Sequence, residues 1–232
     1  MDSNSPASPF PPIAQYAFLS DCHTGALVAP DGSVDWLCVP RFDSPSVFGS
    51  LLDRGAGYFR FAPYGINVPT SRAYDPGTNV LVTTWHTPTG WLEIRDALTM
   101  GRREGPDETT PHTRPPADDD AEHLLVRTAT CLEGSVRVEL VCDPAFDYGR
   151  TRVPWSLEAP GGHTADITGA GVSMRLHTDL ALGVVVGGRS GVRRGVVRPL
   201  AAAHGQRVAD LDPAGRRVPG RDEHVGARVV GA

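Results

Sequence analysis

The sequence predicts an all-β chain, an antiparallel β-sandwich, and three observations carry that expectation. Apolar residues recur with a period of two along several runs, turns rich in glycine and proline separate those runs, and no long amphipathic helix interrupts them. The cleanest run is 91–98, where Leu92, Ile94, Asp96 and Leu98 fall on one face and Trp91, Glu93, Arg95 and Ala97 on the other. Alternation over that length marks a strand with one buried face.

In chain order, Met1–Pro12 is rich in proline and serine and reads as a disordered leader, with order expected from about Ile13. Gly25–Ala29 and Ser33–Val39 flank Pro30-Asp31-Gly32. Asp-Gly signals a hairpin because glycine accepts the positive φ of a tight turn, so Leu27 and Val28 are expected opposite Val34 to Leu37. A second hairpin is expected between Val80–Trp85 and Trp91–Leu98 around Thr87-Pro88-Thr89-Gly90, with Trp85 and Trp91 as a cross-strand aromatic pair. Residues 101–120 are polar, with four prolines and the run Asp118-Asp119-Asp120, and read as a solvated loop. A third hairpin around Glu133-Gly134 is expected to pair Leu124–Cys131 with Val136–Cys142. Val172, Met174 and Leu176 alternate again, and Leu182–Val186 is expected as the last strand.

Composition narrows the function classes. The formal charge of -5 gives no electrostatic reason to bind nucleic acid or an anionic membrane. No stretch approaches the roughly 20 apolar residues of a membrane span. The N-terminus lacks the basic and apolar regions of an export signal. Cys22, Cys38, Cys131 and Cys142 form no C-x-x-C pair, so the expectation is a reduced, cytoplasmic protein with buried free thiols. The eight histidines lack metal-ligand spacing, and neither a metal nor a cofactor is expected.

After Val186 the vocabulary changes. Residues 187–232 hold no Phe, Trp, Tyr or Ile. Residues 189–232 carry nine arginines and four acids, a net +5, against -10 for residues 1–188. All 22 basic residues of the chain are arginine, as codon bias in GC-rich DNA produces. Three readings of the tail stand open: a natural basic tail, a short helix around Leu200–Leu211 docked on the sandwich, and translation out of frame after a frameshift.

Ile13–Leu52 contains Asp31-Gly32-Ser33-Val34-Asp35-Trp36-Leu37-Cys38-Val39-Pro40-Arg41-Phe42-Asp43-Ser44-Pro45-Ser46. This run resembles the start of the bacterial glucoamylase- and trehalase-like proteins of glycoside hydrolase family 15. Tyr74-Asp75-Pro76-Gly77-Thr78, Phe146-Asp147-Tyr148-Gly149-Arg150 and Val153-Pro154-Trp155 resemble later segments of the same family. Gln15 and Ser20 depart from the family pattern, which has Asp and Gly there. The resemblance covers 13–188. It implies an N-terminal β-sandwich followed, in the family, by an (α/α)6 barrel whose two glutamates hydrolyse α-glucosides with inversion. That chemistry needs two carboxyls about 6.5–9.5 Å apart. The expected organisation is a leader at 1–12, the sandwich at 13–188, and an irregular or weakly helical, non-homologous tail at 189–232. The barrel is expected to be missing, so no catalytic residue is assigned within these 232 residues.

What the domain would lend to the barrel is a loop. Arg41, Phe42 and Asp43 follow a strand and a proline, and Trp36 precedes them, so they are the candidates to line the parent's α-glucoside pocket. There Arg41 would donate to sugar hydroxyls and Phe42 would pack on a ring face. The structural alternative is an Arg41–Asp43 pair that shapes the loop, with Trp36 in the core. The partners implied are an α-glucoside and the missing barrel, with neither nucleic acid nor membrane. Two other functions compete: a stand-alone sandwich that binds sugar or protein, and a nonfunctional product of a disrupted gene.

Overall fold

The computed structural model describes residues 10–99, 123–180 and 182–183, together with the strand backbone at 210–211, 217–218 and 225–231. A single 3-10 turn, Ile13–Gln15, is the one helical element among the described residues. Strands follow it: β1 (Ala17–Ser20), β2 (Gly25–Val28), β3 (Ser33–Cys38), β4 (Ser46–Phe48), β5 (Tyr58–Pro63), β6 (Ser71–Tyr74), β7 (Leu81–Thr87), β8 (Gly90–Leu98) and β9 (Leu124–Gly134). Then come β10 (Val138–Asp143), β11 (Ser156–Leu157), β12 (Thr164–Gly169), β13 (Val172–Thr178), β14 (Asp210–Leu211), β15 (Arg217–Val218) and β16 (Val225–Gly231). They make a six-stranded sheet in the order β1-β2-β3-β5-β10, with β4 paired to β3, and an eight-stranded sheet in the order β11-β12-β13-β16-β9-β8-β7-β6. All pairings are antiparallel, so the all-β expectation holds.

Period-two burial closes the sheets on one another. Phe48, Phe59 and Phe61 of the six-stranded sheet pack in one core with Trp85, Leu92, Ile94, Leu125 and Leu176 of the eight-stranded one. Asp96 breaks the apolar face of β8 and is 1% exposed. Its partner is Arg127, directly opposite on β9 and itself fully buried. Arg127 Nε donates to Asp96 Oδ1 at 2.8 Å and Nη2 to Oδ2 at 3.2 Å. The same guanidinium crosses the core, donating to the carbonyls of Phe59 at 2.8 Å and Gly32 at 2.7 Å. One charged side chain therefore ties the two sheets together.

The first hairpin forms as expected, with Ala26 opposite Leu37, Leu27 opposite Trp36 and Val28 opposite Val34. Gly32 sits at φ +82°, and a Cβ there would lie 2.8 Å from the Phe61 carbonyl oxygen. The ladder slips between Leu27 and Val28, leaving Asp35 as the extra residue of a β-bulge. That is why Val34 and Leu37, three apart, both reach the core, and why Asp35 and Trp36 both belong to the outer face.

Two pairings differ from expectation. Trp85 and Trp91 are not cross-strand partners: the two-residue Pro88-Thr89 turn sets Trp85 opposite Leu92 and Trp91 opposite His86. Trp85 is in the core, and Trp91 stacks on His86 outside it at 4.5 Å between centroids. The third hairpin is replaced by a crossing between sheets: β9 pairs with β8 and β16, whereas β10 pairs with β5. The apolar faces of β9 and β10 bury against one core from opposite sides, which a hairpin in a single sheet would forbid.

The four thiols are free, but only Cys38 and Cys142 are buried, and burial pushes both up; Cys22 is exposed and Cys131 half-buried. No helix among the described residues is long and apolar enough to cross a membrane. The 101–120 loop lies outside the described residues. Leu182 and Gly183 lie in no strand, and the rest of the last expected strand, 184–186, is likewise outside. Where an irregular or weakly helical tail is expected, the described backbone is strand, and β16 lies between β13 and β9.

Candidate functional site

Neighbours across antiparallel strands share a face, so the register alone builds a row on the outside of the six-stranded sheet. Phe18 on β1 lies opposite Leu27 on β2, and Leu27 lies opposite Trp36 on β3. The Trp36 ring meets Tyr148 at 6.4 Å between centroids. Tyr148 comes from the Phe146–Arg150 turn, where Asp147, Tyr148 and Gly149 take positive φ of 52°, 56° and 87°. Phe42 joins the other end of the row. A Cβ on Gly25 would stand 2.4 Å from Phe18 Cε2 and 2.9 Å from Phe42 Cε1, so glycine is the flat seat on which both rings rest. Phe18, Phe42 and Tyr148 remain 47%, 54% and 46% exposed. The row is thus an open apolar strip on the outer face of the sheet.

The loop that carries Phe42 is held by its own backbone. Phe42 N–H donates to the His23 carbonyl at 2.9 Å, and Arg41 N–H to Ser44 Oγ at 3.1 Å. Arg41 Nε lies 3.4 Å from Asp43 Oδ1, with 57% and 82% of the two side chains exposed. The four residues singled out from the sequence thus separate by role. Phe42 is one end of the aromatic row and Trp36 sits within it between Leu27 and Tyr148, while Arg41 and Asp43 pair with each other at its rim. Edge strand β1 is clasped from the other sheet, since the Tyr74 hydroxyl donates to Phe18 O at 2.9 Å and accepts from Phe18 N at 2.8 Å.

Beside the row, the outer face turns polar. A cleft of about 350 Å³ is lined by residues including Asp31, Asp35, Arg54, Tyr58, Arg60 and Glu139. Asp35, put there by the bulge, is 1% exposed and accepts from Ser50 Oγ at 2.7 Å, Tyr16 Oη at 2.9 Å and Arg54 Nη1 at 3.3 Å. Arg60 donates to Glu139 Oε2 at 3.0 Å, to the Ile66 carbonyl at 2.8 Å and to Asn67 Oδ1 at 3.2 Å. Burial raises the Asp35 carboxyl above its ordinary value, against the lowering pull of Ser50, Tyr16 and Arg54.

A raised carboxyl stabilises the fold while it is protonated, and that contribution is lost as pH rises through the raised value. Asp35→Asn cannot ionise and escapes the loss. The stability of the native chain relative to this variant therefore increases as pH falls from about 7 to about 4, across the range where carboxyls titrate. Denaturant unfolding of both proteins at the two pH values checks the sign.

The two antiparallel sheets and the apolar row on the outside of one of them define an all-β domain with an open aromatic face. The family model for the trehalase-like N-terminal domain matches residues 7–179, and the chain belongs to that family. It is 50% identical over 183 residues to a trehalase of Mycolicibacterium smegmatis, covering 76% of this chain and 27% of that protein. Against a trehalase of Mycobacterium tuberculosis it is 51% identical over 191 residues, 79% of this chain and 28% of that one. A trehalase of Sulfolobus acidocaldarius is 44% identical over 86 residues, covering 37% and 15%. The chain spans about a quarter of the length of the two mycobacterial relatives.

Proposed function

We propose that these residues are the non-catalytic N-terminal domain of a glycoside hydrolase whose whole form cleaves α-glucosides, trehalose first among them, with inversion of configuration. The domain acts by docking. Its aromatic row seats a helical catalytic barrel, and the Arg41–Asp43 loop at the rim faces the sugar pocket of that barrel. By itself the chain turns over no glycoside, and it works in the cytoplasm. The observation that carries this reading is the partly exposed row of Phe42, Phe18, Leu27, Trp36 and Tyr148 on a domain that spans about a quarter of the length of its mycobacterial relatives. Inversion would need the barrel's two carboxyls at about 6.5–9.5 Å, with a water between them.

A chimera tests the docking. Residues 13–178 replace the matching segment of the Mycolicibacterium smegmatis trehalase, and trehalose hydrolysis is followed. The chimera is expected to be active, and combining Trp36→Ala with Phe42→Ala is expected to lower kcat/KM about tenfold or more. A double variant as active and as stable as its parent would remove the row from the interface.

A further inference from the structure

The polar cleft beside the aromatic row is not needed for docking, and its chemistry points to a ligand of its own. We propose that it binds a neutral, polyhydroxylated molecule of about monosaccharide size. Its volume of about 350 Å³ lies at the small end of ligand pockets, which run from about 300 to 1,000 Å³. Three carboxylates, Asp31, Asp35 and Glu139, and two guanidiniums, Arg54 and Arg60, share its wall, a formal sum of -1. Arg60 stands 3.0 Å from Glu139 and 3.9 Å from Asp31, and Arg54 stands 3.3 Å from Asp35. Interleaved positive charge excludes a bare cation, and interleaved negative charge excludes a phosphate or carboxylate ligand.

What such a wall offers is an alternation of strong acceptors and forked donors a few ångströms apart. Adjacent hydroxyls, each able to donate and accept, are the neutral groups that match it. The floor is already ordered: Ser33, Asp35, Ser50 and Arg60 are all buried, so little conformational entropy is lost when a ligand settles on them. The mouth is open to solvent: the Arg54 side chain is 43% exposed, and Asn67 is exposed, with its carbonyl oxygen accepting from Arg60.

Isothermal titration of the full 232-residue chain with D-glucose and, separately, with myo-inositol tests the site. Saturable binding of at least one, with Kd on the order of millimolar, is expected. Both binding means that vicinal hydroxyls are read in general, and glucose alone means that the pyranose ring is read. Arg54→Lys, which keeps a counter-charge beside the buried Asp35, and Asn67→Ala should each weaken binding several-fold with a cooperative denaturant transition retained, while Phe42→Ala leaves it unchanged. No heat from either ligand up to about 50 mM would overturn the proposal. So would binding that survives both mouth variants but is lost in Phe42→Ala, since the sugar would then sit on the aromatic row. Failure of the chimera to dock bears on neither outcome, because this experiment needs no barrel.

Discussion

Replacing Arg127 with alanine is expected to cost about 3–5 kcal/mol, the range for breaking a buried ion pair by removing one partner. The loss is compound. Asp96 stays in the core, 1% exposed, with no counter-charge. The Phe59 and Gly32 carbonyls lose donors at 2.8 Å and 2.7 Å, and the Phe59 ring loses the guanidinium 4.9 Å from its centroid. The damage reaches both sheets at once, so the transition should move to lower denaturant as a whole instead of splitting in two. Arg127→Lys keeps the charge but not the fork and should recover only part of the loss. Guanidinium denaturation followed by Trp fluorescence measures both, and a shift below about 1 kcal/mol for the alanine variant would mean that this pair does not join the sheets.

Trp85→Ala is expected to cost a comparable 3–5 kcal/mol, because a fully buried indole leaves a cavity that β-sheet neighbours cannot close. Trp85 Nε1 is buried without a hydrogen-bond partner among the described residues. Trp85→Phe removes that orphaned donor along with some volume, so it should cost far less, below about 1.5 kcal/mol. Trp91→Ala should be milder than Trp85→Ala, since Trp91 packs on His86 outside the core. Equal losses at 85 and 91 would contradict the register that separates them.

The contrast between those two tryptophans indicates what the sequence could and could not tell. Alternation in 92–98 and 136–142 marked the buried faces correctly, down to Asp96 on the core side, because a strand's period is fixed by its backbone. The Asp31-Gly32 turn was equally legible, since few residues accept its φ. Which strand follows which into a sheet was not. Glu133-Gly134 has the chemistry of a hairpin turn, but Gly134 lies against Gly90 on β8 and the chain then leaves for the other sheet, a decision made by the shared core. The register slip at Asp35 was hidden for a similar reason: a bulge is a relation between two strands.

The same limit applied at the site. Arg41, Phe42, Asp43 and Trp36 could be picked out by loop position and motif. Phe18, Gly25 and Tyr148, which turn two of them into a surface, are separated by up to 130 residues and meet only through β1-β2-β3 pairing and a left-handed turn. Gly25 was the one available signal, a glycine opening a strand that otherwise reads as apolar. The polar cleft gave no signal at all, as Asp35, Arg60 and Glu139 look like solvated strand residues until loops 49–57 and 64–70 cover them.

The central claim is that this domain positions and docks but does not catalyse. The most direct measurement is glucose release from trehalose and from malto-oligosaccharides by the pure 232-residue chain, followed with a coupled assay over many hours at high protein concentration. The account predicts no release above the buffer blank for any substrate. Glucose release that scales with chain concentration and disappears when the chain is unfolded would contradict it, and would place a carboxylate pair with catalytic spacing inside the sandwich itself.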